Sequence, residues 1–156
     1  MNKWLALLGF IILCLAVGGL GGWATSQSVV EWYPTLNKPS WNPPPWIFGP
    51  VWTTLYVLMG VAAWLVWRQD TRFSGVRAAL ILFAVQLALN SLWSFLFFKF
   101  HNPGLALVDI IALLITLALT TWAFFNHSKP AGLLMLPYLA WVTFATFLNF
   151  TIWQLN

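Results

Sequence analysis

Long apolar runs separated by short polar punctuation dominate the chain. Five of them, over residues 4–24, 47–67, 76–98, 105–125 and 133–153, each hold about 21 to 23 residues. At about 1.5 Å per residue, each is long enough as a helix to cross roughly 30 Å of hydrocarbon. The breaks at residues 68–75, 99–104 and 126–132 carry loop chemistry, with Asn102-Pro103 reading as a helix cap followed by a first-turn proline. The pattern predicts an all-α membrane protein: a five-transmembrane-helix bundle, one domain over residues 1–156, with a long structured first loop over residues 25–46. A signal peptide does not fit the first run, which exceeds the usual core of about 7 to 15 residues and lacks a clear small-residue cleavage site.

Composition supports this reading. Of 156 residues, 61% are hydrophobic and 6% charged, too few charges to coat a water-facing surface, where about 25% is usual. Lys3, Arg68, Arg72, Arg77 and Lys129 share the side of the N-terminus, and only Lys38 and Lys99 lie on the other. The positive-inside rule therefore predicts a cytoplasmic N-terminus and a first loop outside, and helices rather than a barrel point to the bacterial inner membrane. The net charge of +4 thus reports topology, and no basic cluster offers a nucleic-acid surface. Cys14 stands alone, and His101 and His127 fall in loops on opposite faces, so no disulfide, metal site or covalent cofactor attachment is expected.

Chemistry enters through the polar and aromatic residues inside the spans. Phe48, Trp52 and Tyr56 recur every four residues, which stacks three rings on one helix face. Gln86, Asn90, Ser94 and Phe97 form a second stripe, and Tyr138, Trp141, Ala145 and Asn149 a third. Counted from the helix ends, Trp52 lies about 8 Å deep, Asn90 and Ala145 about 12 Å, and Ser94 and Asn149 about 6 Å. Polar side chains are costly in lipid and face a bundle interior or cavity. Interhelical hydrogen bonds alone explain the polar residues but not the rings beside them, so the stripes also suit a pocket opening toward the first loop. That loop carries Trp32, Tyr33, Trp41 and Trp46 among Pro34, Pro39, Pro43, Pro44 and Pro45, a stiff aromatic segment suited to a lid or to an interfacial belt. Twelve tryptophans in the chain divide accordingly between anchors near helix ends and positions in or beneath this loop. Gly18, Gly19, Gly21 and Gly22 permit close helix approach, either between two chains or within one bundle.

The run Trp32-Tyr33-Pro-Thr-Leu36-Asn-Lys38-Pro39-Ser-Trp41-Asn-Pro43-Pro44, followed by Phe48-Gly-Pro50-Val51-Trp52-Thr-Thr-Leu55-Tyr56, resembles the signature of the TspO/MBR family. The likeness continues through Asn90-Ser-Leu-Trp93, Asp109, Pro137-Tyr138-Leu-Ala-Trp141, Ala145 and Asn149. It implies a homodimeric five-helix bundle that binds porphyrins such as protoporphyrin IX or haem, or another planar apolar small molecule, in contact with membrane lipid. It places ligand-binding positions at Trp41, Trp52, Tyr56, Asn90, Trp93, Trp141 and Ala145, beneath a lid that includes Trp32, Tyr33, Lys38, Pro43 and Pro44. Lys38 is either the partner of a porphyrin propionate near the mouth or an interfacial charge, and the resemblance implies Trp52 and Trp141 as the candidates for light- and oxygen-dependent porphyrin breakdown. The implied role is tetrapyrrole or stress sensing, with porphyrin degradation and porphyrin or sterol transport as alternatives. The sterol pattern expected at the end of the fifth helix is not met, because Phe150 and Gln154 stand where a tyrosine and a basic residue are required. Val30, Tyr33 and Lys38 fit the same loose pattern within the loop.

Overall fold

The computed structural model describes residues 2–156 and is built from helices. Its elements are α1 (Lys3–Ser26), the short α2 (Ser28–Glu31), α3 (Phe48–Trp67), α4 (Ser74–Ser94), α5 (Pro103–His127) and α6 (Lys129–Leu155). Tight turns at Tyr33–Thr35 and Pro45–Ile47 structure the first loop, and a wider π turn, Phe95–Lys99, extends α4. Five helices are long and apolar enough to cross a membrane.

The long helices close a ring: α1 packs on α3 and α4, α3 on α6, and α5 on both α4 and α6. Small residues set the closest approaches. A methyl group added at Gly60 of α3 would lie 2.8 Å from the Ile11 Cα of α1, so the two backbones touch there. Met59, Ala62 and Val66 of α3 and Leu113, Leu117 and Phe124 of α5 are buried in the interior at the N-terminal end of the bundle. Leu5, Leu8 and Ile12 on α1 and Val108 and Ile115 on α5 are exposed, the outward apolar surface expected of helices solvated by lipid.

The spans run further than the apolar pattern predicts. The segment expected as a loop over residues 126–132 reduces to Ser128, whose Oγ accepts the Ala131 N–H while Pro130 occupies the first turn of α6. Lysine and proline there read as loop by polarity, yet both suit a helix start, where an N–H has no partner to lose. Similarly, Asn102 Oδ1 accepts the Leu105 N–H at 3.0 Å, so α5 begins at Pro103 instead of residue 105. The third span changes character near its end: Phe100 N–H donates to the Phe95 carbonyl at 2.8 Å, a π-type bond that widens the turn.

Candidate functional site

At the end of the bundle that carries the first loop, α1, α3, α4 and α6 separate around a chamber of about 510 Å³. That volume falls within the roughly 300–1,000 Å³ of small-molecule sites. Its walls are aromatic: Trp52 and Tyr56 from α3, Trp93 from α4, Phe97 and Phe98 from the π turn, and Trp141 from α6. The Trp52 and Trp141 rings meet edge to face at 6.5 Å, and Trp93 stacks on Phe97 at 5.2 Å. Such edge-to-face and offset contacts suit the ring quadrupoles and hold the walls in fixed orientations. The wide turn allows the consecutive residues Phe97 and Phe98 both to border the chamber.

Glycine thins the fourth wall. A methyl group at Gly18 would sit 2.5 Å from the Tyr56 ring and one at Gly21 3.0 Å from Ser94 Oγ, whereas around Gly19, Gly22 and Gly49 there is open space. All five border the chamber. In the described chain the glycine-rich stretch of α1 therefore gives close packing inside one bundle and room for an occupant.

Beneath the chamber lies a buried hydrogen-bonded chain. Tyr56 OH donates to Asn90 Oδ1 at 2.6 Å, Asn90 Nδ2 donates to Tyr138 OH at 2.7 Å, and Tyr138 OH donates to Gln86 Oε1 at 2.7 Å. Higher up, Trp93 Nε1 donates to Asn149 Oδ1 at 2.9 Å, and Asn149 Nδ2 donates to the Pro103 carbonyl at 2.9 Å. These bonds satisfy side chains that would be costly to bury alone, and they tie α3, α4, α5 and α6 to one another beside the chamber. Asp109 is also buried, but its carboxylate oxygens have no partner among the described residues, and it does not border the chamber.

The first loop closes over the top. Tyr33 and Pro45 border the chamber, and Tyr33 OH donates to Asn42 Oδ1 at 2.7 Å. Burial pushes the Tyr33 phenol up to about 12. The loop is pinned at two places. Asn156 Nδ2 donates to the Asn37 carbonyl at 2.9 Å, while Asn37 N–H donates to Asn156 Oδ1 at 3.0 Å. On the opposite flank Ser28 Oγ donates to the Phe98 carbonyl and sits 2.8 Å from His101 Nε2, and the Trp32 and His101 rings stack at 4.3 Å. Because the Ser28 proton goes to the carbonyl, the serine oxygen accepts from the imidazole N–H. His101 holds a positive φ of 52°, in the left-handed region unusual for a side-chain-bearing residue.

The residues expected at the site are only partly brought together. Trp52, Tyr56, Asn90, Trp93, Trp141 and Ala145 border the chamber. Trp41 does not; it lies on the outer side of Phe144 at 5.7 Å and is half exposed. Of the lid residues, Tyr33 faces the chamber, while Trp32 is turned onto Phe97 and His101. Pro43 and Pro44 shape the loop without bordering the cavity: Asn42 Nδ2 donates to the Pro43 carbonyl and Ile47 N–H to that of Pro44. Lys38 is turned inward on the lid itself, its Nζ donating to the Tyr33 and Leu36 carbonyls at 2.9 and 3.0 Å and lying 5.0 Å from the Tyr33 ring. Sequence reasoning missed Phe98, Val29 and the glycine wall as lining, and His101 and Ser28 as a clasp. A serine and a histidine separated by 73 positions carry no local signal of their contact.

Comparison with known proteins agrees with this architecture. The sequence profile of the TspO/MBR family matches residues 10–154. A protein of Chlorobaculum tepidum named Tryptophan-rich protein TspO is 50% identical over 100% of this chain and 99% of its own length. The Translocator protein of Bos taurus is 42% identical, covering 98% of this chain and 91% of its own. The Tryptophan-rich sensory protein of Cereibacter sphaeroides is 41% identical over 98% and 92% respectively.

Proposed function

The chain belongs to the TspO/MBR family, and from that premise we propose that its aromatic chamber binds a porphyrin, such as protoporphyrin IX or haem, or another flat apolar molecule. The protein is an integral membrane protein with five spans. The observation that carries the reading is the meeting of Trp52, Trp93 and Trp141 around one chamber under a structured aromatic lid. A macrocycle gains most from large, rigid ring surfaces whose orientation is fixed before it arrives. No carboxylate, histidine or lysine borders the chamber among the described residues, which favours binding over acid–base chemistry. A sensing role follows from this reading: an occupied chamber would hold the lid and the α1 wall in one arrangement, and the names borne by its relatives include a sensory protein and a translocator protein. The homodimer and the inner-membrane topology with an outward first loop belong to the same proposal, the latter resting on the basic residues at the N-terminal end.

Titration of the purified protein with protoporphyrin IX, followed by tryptophan fluorescence, tests the binding. Saturable quenching is expected, with affinity at least tenfold weaker in the Trp52→Phe, Trp141→Phe double variant. Unchanged affinity in that variant places the ligand elsewhere.

A further inference from the structure

Outside the chamber, α1 and α4 part along the lipid-facing surface around a shallow groove of about 410 Å³, lined almost wholly by apolar side chains. Small residues open it: Ala84 and Ala88 of α4 are exposed and border it together with Phe10 and Val17 of α1. We infer that the groove holds one acyl chain of an anionic phospholipid, whose phosphate meets Lys3 and Arg77 at the groove's foot. From Leu80 to Ser91 it rises roughly 16 Å along α4, the shape of a chain rather than of a headgroup. Both walls end in a cation. Lys3, Phe10 and Val17 recur at steps of seven on α1, and Arg77, Ala84 and Ala88 at seven and four on α4, so each basic residue lies on the helix face that borders the groove. By helical rise Lys3 sits about 10 Å below Phe10 and Arg77 about 5 Å below Leu80, toward the N-terminal end of the bundle.

Neither cation has a carboxylate partner among the described residues. Asp70, the one acidic residue at this end, is held by Arg72 at 2.8 Å, and Glu31 and Asp109 lie toward the loop end. Arg77 Nη1 donates to the Thr71 and Arg72 carbonyls at 3.2 and 2.9 Å, which fixes the guanidinium, while its Nε and Nη2 have no hydrogen-bond partner among the described residues. Lys3 is exposed, its Nζ 5.3 Å from the ring of the exposed Trp4, a residue type that favours headgroup level. In hydrocarbon a chain gains only packing on entering a groove, so the head decides which lipid stays. Two cations with spare donors favour a phosphate that brings no ammonium of its own. A second copy of the chain fits less well. Both copies share one orientation in the bilayer, so a two-fold contact here sets their Lys3 and Arg77 side chains at one height as like charges.

Native mass spectrometry of the full chain, in detergent carrying equal amounts of phosphatidylglycerol and phosphatidylcholine with matched acyl chains, tests the site. A surface Lys or Arg is worth roughly fivefold toward anionic lipid, so one phosphatidylglycerol is expected to be retained with a preference of at least about tenfold. Lys3→Gln with Arg77→Gln is expected to bring the ratio close to unity, and Arg68→Gln with Lys129→Gln to leave it unchanged. Ala84→Leu with Ala88→Leu fills the groove, keeps both cations and is expected to lower retention several-fold. Excess glycerol phosphate is expected to displace nothing, since it lacks the chain. None of these residues borders the chamber, so the result stands apart from porphyrin binding. Equal retention of the two lipids, an unchanged ratio in the Lys3 and Arg77 variant, or an equal loss in the Arg68 and Lys129 variant overturns the inference. Full retention with the groove filled, or displacement by glycerol phosphate alone, does the same. So does a dimer that the leucine variant turns into a monomer, which gives the groove to a second copy.

Discussion

His101 shows how a single residue sets the behaviour of the lid. Its left-handed backbone costs of order 1 to 3 kcal/mol, and the stack on Trp32 with the hydrogen bond to Ser28 offsets that cost. His101→Gly removes both the strain and the clasp, so folding stability is expected to change little while ligand dissociation accelerates several-fold. Ser28→Ala, which removes two bonds worth about 0.5 to 1.5 kcal/mol each, is expected to do the same by about tenfold or more. Stopped-flow displacement measures both, and rates equal to wild type would show that the clasp does not hold the lid. The glycines of α1 give a second contrast. Gly22→Ala is expected to stabilise by about 1 kcal/mol, because a helical alanine replaces glycine in open space. Gly18→Ala drives a methyl into the Tyr56 ring and is expected to destabilise by about 1 to 3 kcal/mol. Denaturation in detergent reads the opposite signs. Neither contrast is legible in the sequence, where these glycines look alike and serve a second chain as well as the same bundle. Only the position of Tyr56 across the α1–α3 contact separates them.

At the level of elements, the helices and their order follow from hydrophobic run length, whereas their ends do not. Ser128 with Lys129 and Pro130 has the composition of a loop and the geometry of a helix start, and only the capping bond decides between them. The first loop was legible as stiff and aromatic, but not which rings face inward: its proline-fixed turns aim Tyr33 at the chamber and Trp32 away from it. Burial of Tyr33 has a consequence for pH. Its phenol rises from the ordinary 10.0 to about 12 in the folded lid. A raised value means stability present below pH 10 and lost as the pH rises toward 12, because the open lid then ionises first. Ligand retention is expected to fall in that interval in wild type and to be much less sensitive in Tyr33→Phe, as measured by dissociation rate against pH. In the bundle, Tyr138→Phe leaves Asn90 Nδ2 and Gln86 Oε1 without their partner, an expected loss of about 1 to 3 kcal/mol in denaturation experiments.

On the scale of the whole molecule, five apolar helices close a ring that is tightly packed at the N-terminal end and opens into a chamber at the loop end. The chamber's depth was legible because the stripes on the second, third and fifth spans converge at similar heights when counted from the helix ends. The wall formed by α1 was not, since α1 contributes glycines and no polar or aromatic stripe, and an absent side chain leaves no periodic signal. The direction of Lys38 was not legible for a related reason: it is near in sequence to lid residues, and only the folded loop turns its Nζ onto the lid's own carbonyls. The account converges on one physical claim, that a flat molecule lies among Trp52, Trp93 and Trp141 beneath Tyr33. An experimental structure of the protein in lipid with protoporphyrin bound tests it most directly. The claim predicts the macrocycle between these rings, with the Tyr56–Asn90–Tyr138 chain intact below it, and a macrocycle held only on the lipid-facing surface of the bundle, with the chamber unoccupied, would contradict it.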